Sequence, residues 1–234
     1  MTIATNLSAI HDRIARAAQR AGRDPHDVAL MAVTKTFPAE RILEAYDAGQ
    51  RLFGESRVQE FAEKAGGVEE LRDAEFHMIG HLQSNKAAKA AEIFHAIDSL
   101  DSARLAQRLD AAAERLGKTL AVLIEVNVGG EVAKSGIAPT SPELENILVA
   151  APGWPNLRIR GLMTVPPFTE DPEGARPYFG QLRELRDWLT ARNLPSVSLD
   201  VLSMGMSHDF EVAIEEGSTC VRLGTAIFGT RTKP

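Results

Sequence analysis

The feature that most limits the possible folds is a regular alternation of two kinds of segment along the whole chain. Short apolar runs of the kind found in buried strands are separated by segments whose apolar residues recur at helical spacing. The predicted strands are residues 28–35, 51–56, 75–81, 96–100, 120–128, 159–165, 197–204 and 220–228. This order predicts an α/β fold in which right-handed helical crossovers join parallel strands.

Apolar stripes and glycines mark the helices between these strands. The stripes are Leu7, Ile10, Ile14 and Ala17; Leu105, Leu109, Ala112 and Leu116; Leu182, Leu185 and Leu189; and Phe210, Ala213 and Ile214. Gly49, Gly117 and Gly217 fall near predicted helix ends, where a residue with positive φ is useful. The first stripe precedes the first strand and predicts an extra N-terminal helix.

The number of strands selects among α/β architectures. An open doubly wound sheet would give a similar pattern, but eight strand–helix units favour a closed (β/α)8 TIM barrel. The chain has no low-complexity linker, no break in composition and no short-period repeat. We therefore predict a single domain over residues 1–234, which is an ordinary length for one barrel.

Charge and cysteine content exclude several classes of function. There are 26 basic and 32 acidic side chains, a formal net charge of −6, which argues against a nucleic-acid or anionic-membrane partner. No apolar run approaches the ~20 residues of a membrane span. The single cysteine, Cys220, excludes an internal disulfide and is predicted to be a buried packing residue. We expect a cytoplasmic protein.

Lys35 is the first candidate functional residue, because it closes the nearly apolar first strand. A barrel places its active site at the C-terminal ends of its strands. A lysine there either extends to solvent or points into the barrel mouth, and the position alone leaves both open. If it points inward, desolvation favours a neutral amine that can attack an aldehyde.

Two segments near the C-terminus are suited to an anion. After the seventh strand, Gly205 permits a tight turn and Ser207 can cap the next helix or face a phosphate. After the eighth strand, the backbone of Gly224 and the hydroxyl of Thr225 could complete a phosphate site, since barrels often bind phosphate with these two loops. Ordinary turn chemistry explains the same residues.

Arg222 is flanked by apolar neighbours in the eighth strand. We expect its side chain to face the barrel interior or the helix layer. Because a guanidinium is permanently charged, it requires a hydrogen-bond acceptor there.

Two other patterns carry less information. Residues 129–135 suggest a phosphate-binding loop, but Val128 and Ala133 occupy both required glycine positions. His77 and His81 could share a face, yet no cysteine or clear carboxylate ligand accompanies them, so we predict no metal site.

Seven motifs, in this order and spacing, resemble the YggS/PROSC-type family of pyridoxal 5′-phosphate (PLP) homeostasis proteins. They are AVTKT (32–36), FGESRVQE (53–60), HMIGHLQSNK (77–86), KSG (134–136), RGLMT (160–164), LSMGMS (202–207) and VRLGTAIFG (221–229). The resemblance runs nearly end to end. It implies the barrel shared with the N-terminal domain of alanine racemase, which is PLP fold type III.

The resemblance also implies residue roles. Lys35 matches the lysine that forms the internal aldimine with PLP, and Arg222 matches the arginine that faces the pyridine nitrogen. Ser207, Gly224 and Thr225 match the residues that bind the phosphate, and Met204 matches a position that lines the ring. The chain departs from the family at Ser56, where asparagine is usual, which puts a ring contact from this position in doubt.

These roles predict a PLP-binding protein without turnover. An arginine at the pyridine nitrogen weakens the cofactor as an electron sink. Racemases of this type add a tyrosine base from a second β-domain, whereas this chain ends at Pro234 and its only tyrosines, Tyr46 and Tyr178, lie in predicted helices. We therefore expect a monomeric carrier that binds PLP reversibly and delivers it to apo-enzymes.

Two enzyme classes remain as alternatives. The first is an amino-acid racemase with an unusual second base, for which His81 and Cys220 are the candidates. The second is a Schiff-base enzyme of the aldolase type, in which the phosphate would belong to the substrate.

Overall fold

The computed structural model describes residues 2–131 and 134–229. The ends of the predicted 1–234 domain, Met1 and residues 230–234, lie outside these ranges. So do Val132 and Ala133, which belong to the glycine-containing stretch 129–135.

Eight parallel strands form a closed barrel in the described part of the chain. They are β1 (Ala29–Val33), β2 (Leu52–Glu55), β3 (Glu75–Met78), β4 (Ala96–Leu100), β5 (Leu120–Glu125), β6 (Leu157–Met163), β7 (Val197–Ser203) and β8 (Cys220–Leu223). Each strand pairs with the next in sequence, and β8 pairs with β1 to close the sheet. The predicted α/β barrel is confirmed, and the open doubly wound sheet is excluded.

Helices surround the barrel on its outer face. Those assigned within the described ranges are α1 (Ile3–Arg20), α2 (Ala39–Asp47), α3 (Val58–Lys64), α4 (Ala87–Ile93), α5 (Ala103–Arg115), α6 (Pro142–Ala150), α7 (Arg176–Ala191), α8 (Phe210–Glu215) and α9 (Thr225–Phe228). The main hydrophobic core lies between the helices and the outer face of the sheet. Because the helices cover the sheet, the strands are apolar along most of their length.

The extra N-terminal helix is α1, as predicted. Its apolar stripe, which includes Leu7, Ile10 and Ile14, is buried. Thr2 caps its first turn, since the Thr2 hydroxyl accepts a hydrogen bond from the Thr5 amide. The helix packs against α8 and α9, so the beginning and the end of the described chain are neighbours.

The eighth strand is shorter than predicted. It ends at Leu223 rather than at residue 228, and Thr225–Phe228 form helix α9. The strand end was misplaced because Ile227 and Phe228 are apolar and buried, just as strand residues would be. A short apolar run of this kind does not distinguish a strand from one turn of helix. By contrast, Gly49, Gly117 and Gly217 all have positive φ, as expected at the ends of helices.

None of the helices in the described part of the chain combines the length and the apolar character needed to cross a membrane. Cys220 is buried, as predicted.

Candidate cofactor site

The barrel mouth contains Lys35, two residues after the end of β1. Side chains alternate between the two faces of a strand, and Val33 and Lys35 fall on the side that lines a cavity. Parallel pairing places Ala32 opposite Leu223, so Lys35 and Gly224 leave adjacent strands side by side. The inward orientation of Lys35 is therefore the one that the structure adopts.

The cavity at this mouth has a volume of about 360 Å³. That value lies within the range of about 300–1,000 Å³ that is typical of small-ligand sites. Its lining consists of Val33, Lys35, Phe37, Ser56, Ile79, Gly80, Val165, Met206, Ser207, His208, Arg222, Gly224 and Thr225. Five of the six residues singled out from the sequence therefore lie on one cavity, although they are far apart in the chain.

A tight turn after β7 directs Ser207 toward the cavity. Gly205 has φ +95°, and a Cβ atom there would approach the Cβ of Ala213 to 2.6 Å and the Cα of Phe210 to 3.0 Å. Only glycine fits this conformation and this close contact. The turn is completed by Asp209, whose Oδ1 accepts a hydrogen bond from the Met206 amide at 2.6 Å.

Ser207 also contacts the segment that follows β8. Its Oγ accepts a hydrogen bond from the backbone amide of Ala226 at 3.3 Å. Gly224 precedes α9 and Thr225 opens it. A hydroxyl from each loop and the backbone N–H groups at the start of α9 thus meet on the cavity wall, an arrangement of donors that suits a phosphate.

Arg222 is buried inside the barrel with only 4% of its surface exposed. Its guanidinium donates to the Ser203 Oγ and to the Thr164 carbonyl oxygen, each at 2.7 Å. Burial lowers the pKa of Arg222, while the negative charges of Asp98 and Glu125 oppose this effect. These two hydrogen bonds use two of the five guanidinium donors. The remaining donors are available to a ligand in the cavity that Arg222 lines.

Met204 does not line the cavity, contrary to the expectation from the resemblance. It is fully buried in the core between the sheet and the helices. The alternation of side chains explains this, because Ser203 faces Arg222 inside the barrel and its neighbour must face outward. Met206, two residues later, lines the cavity instead.

Several lining residues were not singled out from the sequence. Phe37, Val165 and His208 lie in loops whose conformation no local pattern predicts. Ser56, where the family usually has asparagine, does reach the cavity. A Cβ on Gly80 would lie 2.4 Å from the Ser56 carbonyl oxygen, so the two backbones are in close contact at this point.

A larger cavity of about 480 Å³ opens at the opposite, N-terminal end of the barrel. It is lined by Leu52, His77, Asp98 and Cys220 among others, and its described lining includes no lysine. His77 bonds Asp98 there, with 3.1 Å between Nδ1 and Oδ1. Within the described residues no group of three or more side chains is arranged to hold a metal ion.

The side chains considered as a second base do not reach Lys35. Cys220 lies at the opposite end of the barrel, and burial raises its pKa to about 12. His81 lines a separate groove beside Gln59 and Lys86, and its Nδ1 lies 3.1 Å from Asp101 Oδ2. Tyr46 and Tyr178 lie in α2 and α7, as predicted, and neither lines the Lys35 cavity.

Comparison with known proteins identifies the family of this chain. The family described as alanine racemase, N-terminal domain, matches residues 5–232. The chain belongs to this family. The chain is also similar to the pyridoxal phosphate homeostasis protein of Aquifex aeolicus. The two are 46% identical over 231 residues, which are 99% of each chain.

Solved structures with a similar fold agree with the barrel. PipY of Synechococcus elongatus, determined with PLP bound, is 38% identical with a TM-score of 0.84 over 97% of this chain and 100% of that chain. An alanine racemase of Clostridium difficile is 14% identical with a TM-score of 0.71. This chain covers only 57% of that racemase, a likeness that concerns the fold alone.

Proposed function

We propose that this protein binds PLP reversibly, as a Schiff base on Lys35, and delivers it to apo-enzymes without catalysing turnover of its own. The observation that carries the proposal is that Lys35, Arg222, Ser207 and Thr225 all line one cavity of about 360 Å³. The names of its relatives, and the PLP bound to PipY, support the same ligand.

The cavity residues suit the three functional parts of PLP. When bound, PLP supplies an aldehyde that condenses with a primary amine and releases one water. Lys35 would provide that amine, and Ser207, Gly224 and Thr225 would hold the phosphate. Arg222 would face the pyridine nitrogen, and as a permanent cation it would keep that nitrogen unprotonated.

The proposal of a carrier rests on the groups that surround Lys35. The described lining of the cavity contains no tyrosine, cysteine, aspartate or glutamate. Its one histidine is His208. The His208 Nε2 lies 3.1 Å from the carbonyl oxygens of Thr169 and Glu170, so it is placed to donate to them. A ring held in this way at the rim is poorly placed to remove a proton beside Lys35.

The first test is the absorption spectrum of the purified protein with PLP, before and after borohydride reduction. We expect a Schiff-base band, and a reduced label that peptide mapping assigns to Lys35. Lys35→Ala should remove both. If the protein remains colourless after incubation with PLP, the proposal fails and the aldolase-type alternative gains support.

A second test separates a carrier from an enzyme. The loaded protein is mixed with a PLP-dependent apo-enzyme, whose recovered activity reports transfer, and separately with L-alanine to measure racemisation. We expect transfer and no sustained racemisation. Sustained racemisation would instead establish the enzyme alternative.

The same proposal places the protein in the cytoplasm as a monomer. Sedimentation equilibrium of the PLP-loaded protein should give the mass of one 25.4 kDa chain. A dimer whose interface covers the barrel mouth would contradict delivery through that mouth.

A further inference from the structure

The turn that carries Lys35 has a strained backbone. Directly after Lys35, Thr36 adopts φ +68°, a conformation that is a genuine outlier for a β-branched residue. The turn has one internal hydrogen bond, from the Phe37 amide to the Thr34 carbonyl oxygen at 3.0 Å. Such a conformation persists only where surrounding groups impose it.

One ammonium group, that of Lys64 at the end of α3, lies inside the curve of this turn. Its Nζ donates to the carbonyl oxygens of Thr34 and Phe37, each at 3.0 Å. It also forms ion pairs with Glu55 at 2.7 Å and Glu60 at 3.4 Å. The Lys64 side chain is only 10% exposed, so these contacts replace most of its hydration.

This ammonium lies behind the barrel wall when viewed from the cavity. Because side chains alternate along a strand, Val33 and Lys35 face the cavity while Thr34 faces the opposite side. On β2 the same alternation turns Glu55 away from the cavity that Ser56 lines. The Thr34 hydroxyl donates to Glu55 at 2.6 Å, which joins the two strands on this outer side.

Glu60 fixes the strained residue itself. Its Oε1 accepts a hydrogen bond from the backbone amide of Thr36. The acceptor and the ammonium come from the same short helix, with Glu60 and Lys64 four residues apart on one face of α3. Two side chains of α3 therefore make three hydrogen bonds to the backbone on both sides of Lys35.

The buried carboxylate Glu55 explains why a lysine is needed at this position. Glu55 is fully buried, and burial raises its pKa while the charge of Lys64 opposes that effect. Replacing Lys64 by a neutral residue would remove both the counter-charge of Glu55 and the donor to the two turn carbonyls.

We propose that Lys64, assisted by Glu60, is a positioning residue that holds the 34–37 turn in the conformation that directs the Lys35 amine into the cavity. This inference rests on the proposed function, because its consequence is measured with PLP. In the reaction concerned, the Lys35 nitrogen and the aldehyde carbon form a C=N bond, and the aldehyde oxygen leaves as water.

The test compares Lys64→Met with Lys89→Met, a matched control on the exposed surface of α4 where Lys89 pairs with Glu92. The rate of appearance of the Schiff-base absorption band is followed after mixing with PLP. We expect Lys64→Met to slow it by about tenfold or more, because a small displacement of a reacting group is costly. Lys89→Met should react at the wild-type rate.

A second measurement separates positioning from general loss of structure. PLP affinity without the covalent bond is measured in Lys35→Ala and in Lys35→Ala with Lys64→Met. Since Lys64 lies outside the cavity, we expect affinity to fall much less than the covalent rate does. An equal loss of both, or a Lys64→Met variant that reacts at the wild-type rate, would overturn the proposal.

Two further variants cover the case in which Lys64→Met does not fold. Glu55→Gln combined with Lys64→Met leaves no buried carboxylate without a counter-charge, and Glu60→Ala removes the contact to Thr36 from a more exposed position. Both should react slowly, and wild-type rates in both would contradict the inference. If wild-type protein gives no Schiff-base band at all, it is the proposed function that fails.

Discussion

At the scale of single residues, the His77–Asp98 pair is the most unusual group outside the proposed site. Burial alone would lower the pKa of His77, but the carboxylates of Asp98 and Glu75 outweigh it and raise the pKa to about 9. The His77 side chain is 18% exposed and that of Asp98 is 2% exposed. The imidazolium therefore stays charged at neutral pH and bonds β3 to β4 inside the barrel.

This pair predicts a specific dependence of stability on pH. Because the folded pKa exceeds the ordinary value of 6.5, the contribution of His77 is fully present below pH 6.5 and is lost as the pH rises to about 9. At about 1.4 kcal/mol for each pKa unit, the change is on the order of 3 kcal/mol. The free energy of unfolding in urea, measured at both ends of this interval, should show it.

His77→Gln should remove most of this decrease, since glutamine does not titrate. The control is His11→Gln, because His11 is exposed on α1. If the variant and wild type lose the same stability between the two pH values, another group is responsible.

Positions on the cavity were predictable where a side chain conflicts with its local pattern. Lys35 closes an apolar run and Arg222 interrupts one, and both lie on the cavity. Met204 was placed wrongly because the resemblance gives a position but not the face of the strand. The contacts of Lys64 were not predictable, since Thr34 lies 30 residues earlier in the sequence and contacts Lys64 only once β1 and β2 have paired.

At the scale of elements, α1 supports helices α8 and α9, which adjoin the proposed phosphate site. Asn6 donates to the carbonyl oxygen of Ile227 in α9 at 2.8 Å, and Arg13 pairs with Glu211 in α8 at 3.1 Å. The Arg13 guanidinium also lies 4.5 Å from the centre of the Phe210 ring. The N-terminal helix thus fixes the back of the proposed cofactor site without touching the cavity.

Truncating the buried face of α1 should therefore destabilise the protein. Ile10 is 3% exposed, and Ile10→Ala should lower the free energy of unfolding by about 2–5 kcal/mol. Urea denaturation followed by circular dichroism measures this change. Val149→Ala is the matched control, because Val149 is 74% exposed and its truncation should change stability by less than about 0.5 kcal/mol. Equal effects would mean that α1 contributes little.

The order and type of the strands were predictable because buried parallel strands are apolar along most of their length. Their ends were less predictable. The boundary between β8 and α9 depends on Gly224, where the backbone turns beside Val33 of a strand nearly 200 positions earlier in the sequence. Local periodicity contains no information about such a contact.

At the scale of the whole molecule, closure of the barrel predicts that the chain unfolds as one unit. The two tryptophans report on one side of the molecule, since Trp154 follows α6 and Trp188 lies in α7. Circular dichroism reports on all helices. We expect the urea transitions from fluorescence and circular dichroism to coincide.

The variant Trp188→Phe refines this test, because it leaves the buried Trp154 as the only fluorescent tryptophan. Its fluorescence transition should still coincide with that of the circular dichroism signal. Separate midpoints would show that the two halves of the barrel unfold independently, and would contradict the prediction of a single domain.

The pairing of the first and last elements has a consequence for biosynthesis. Arg13 and Glu211 are 198 residues apart, and β1 cannot pair with β8 until the ribosome has made nearly the whole chain. At a synthesis rate of about 5–20 residues per second, the apolar face of α1 waits roughly 10–40 s for its partners. During that interval the nascent chain exposes the apolar face that α8 and α9 later cover, which is the kind of surface that makes an incomplete chain prone to aggregation.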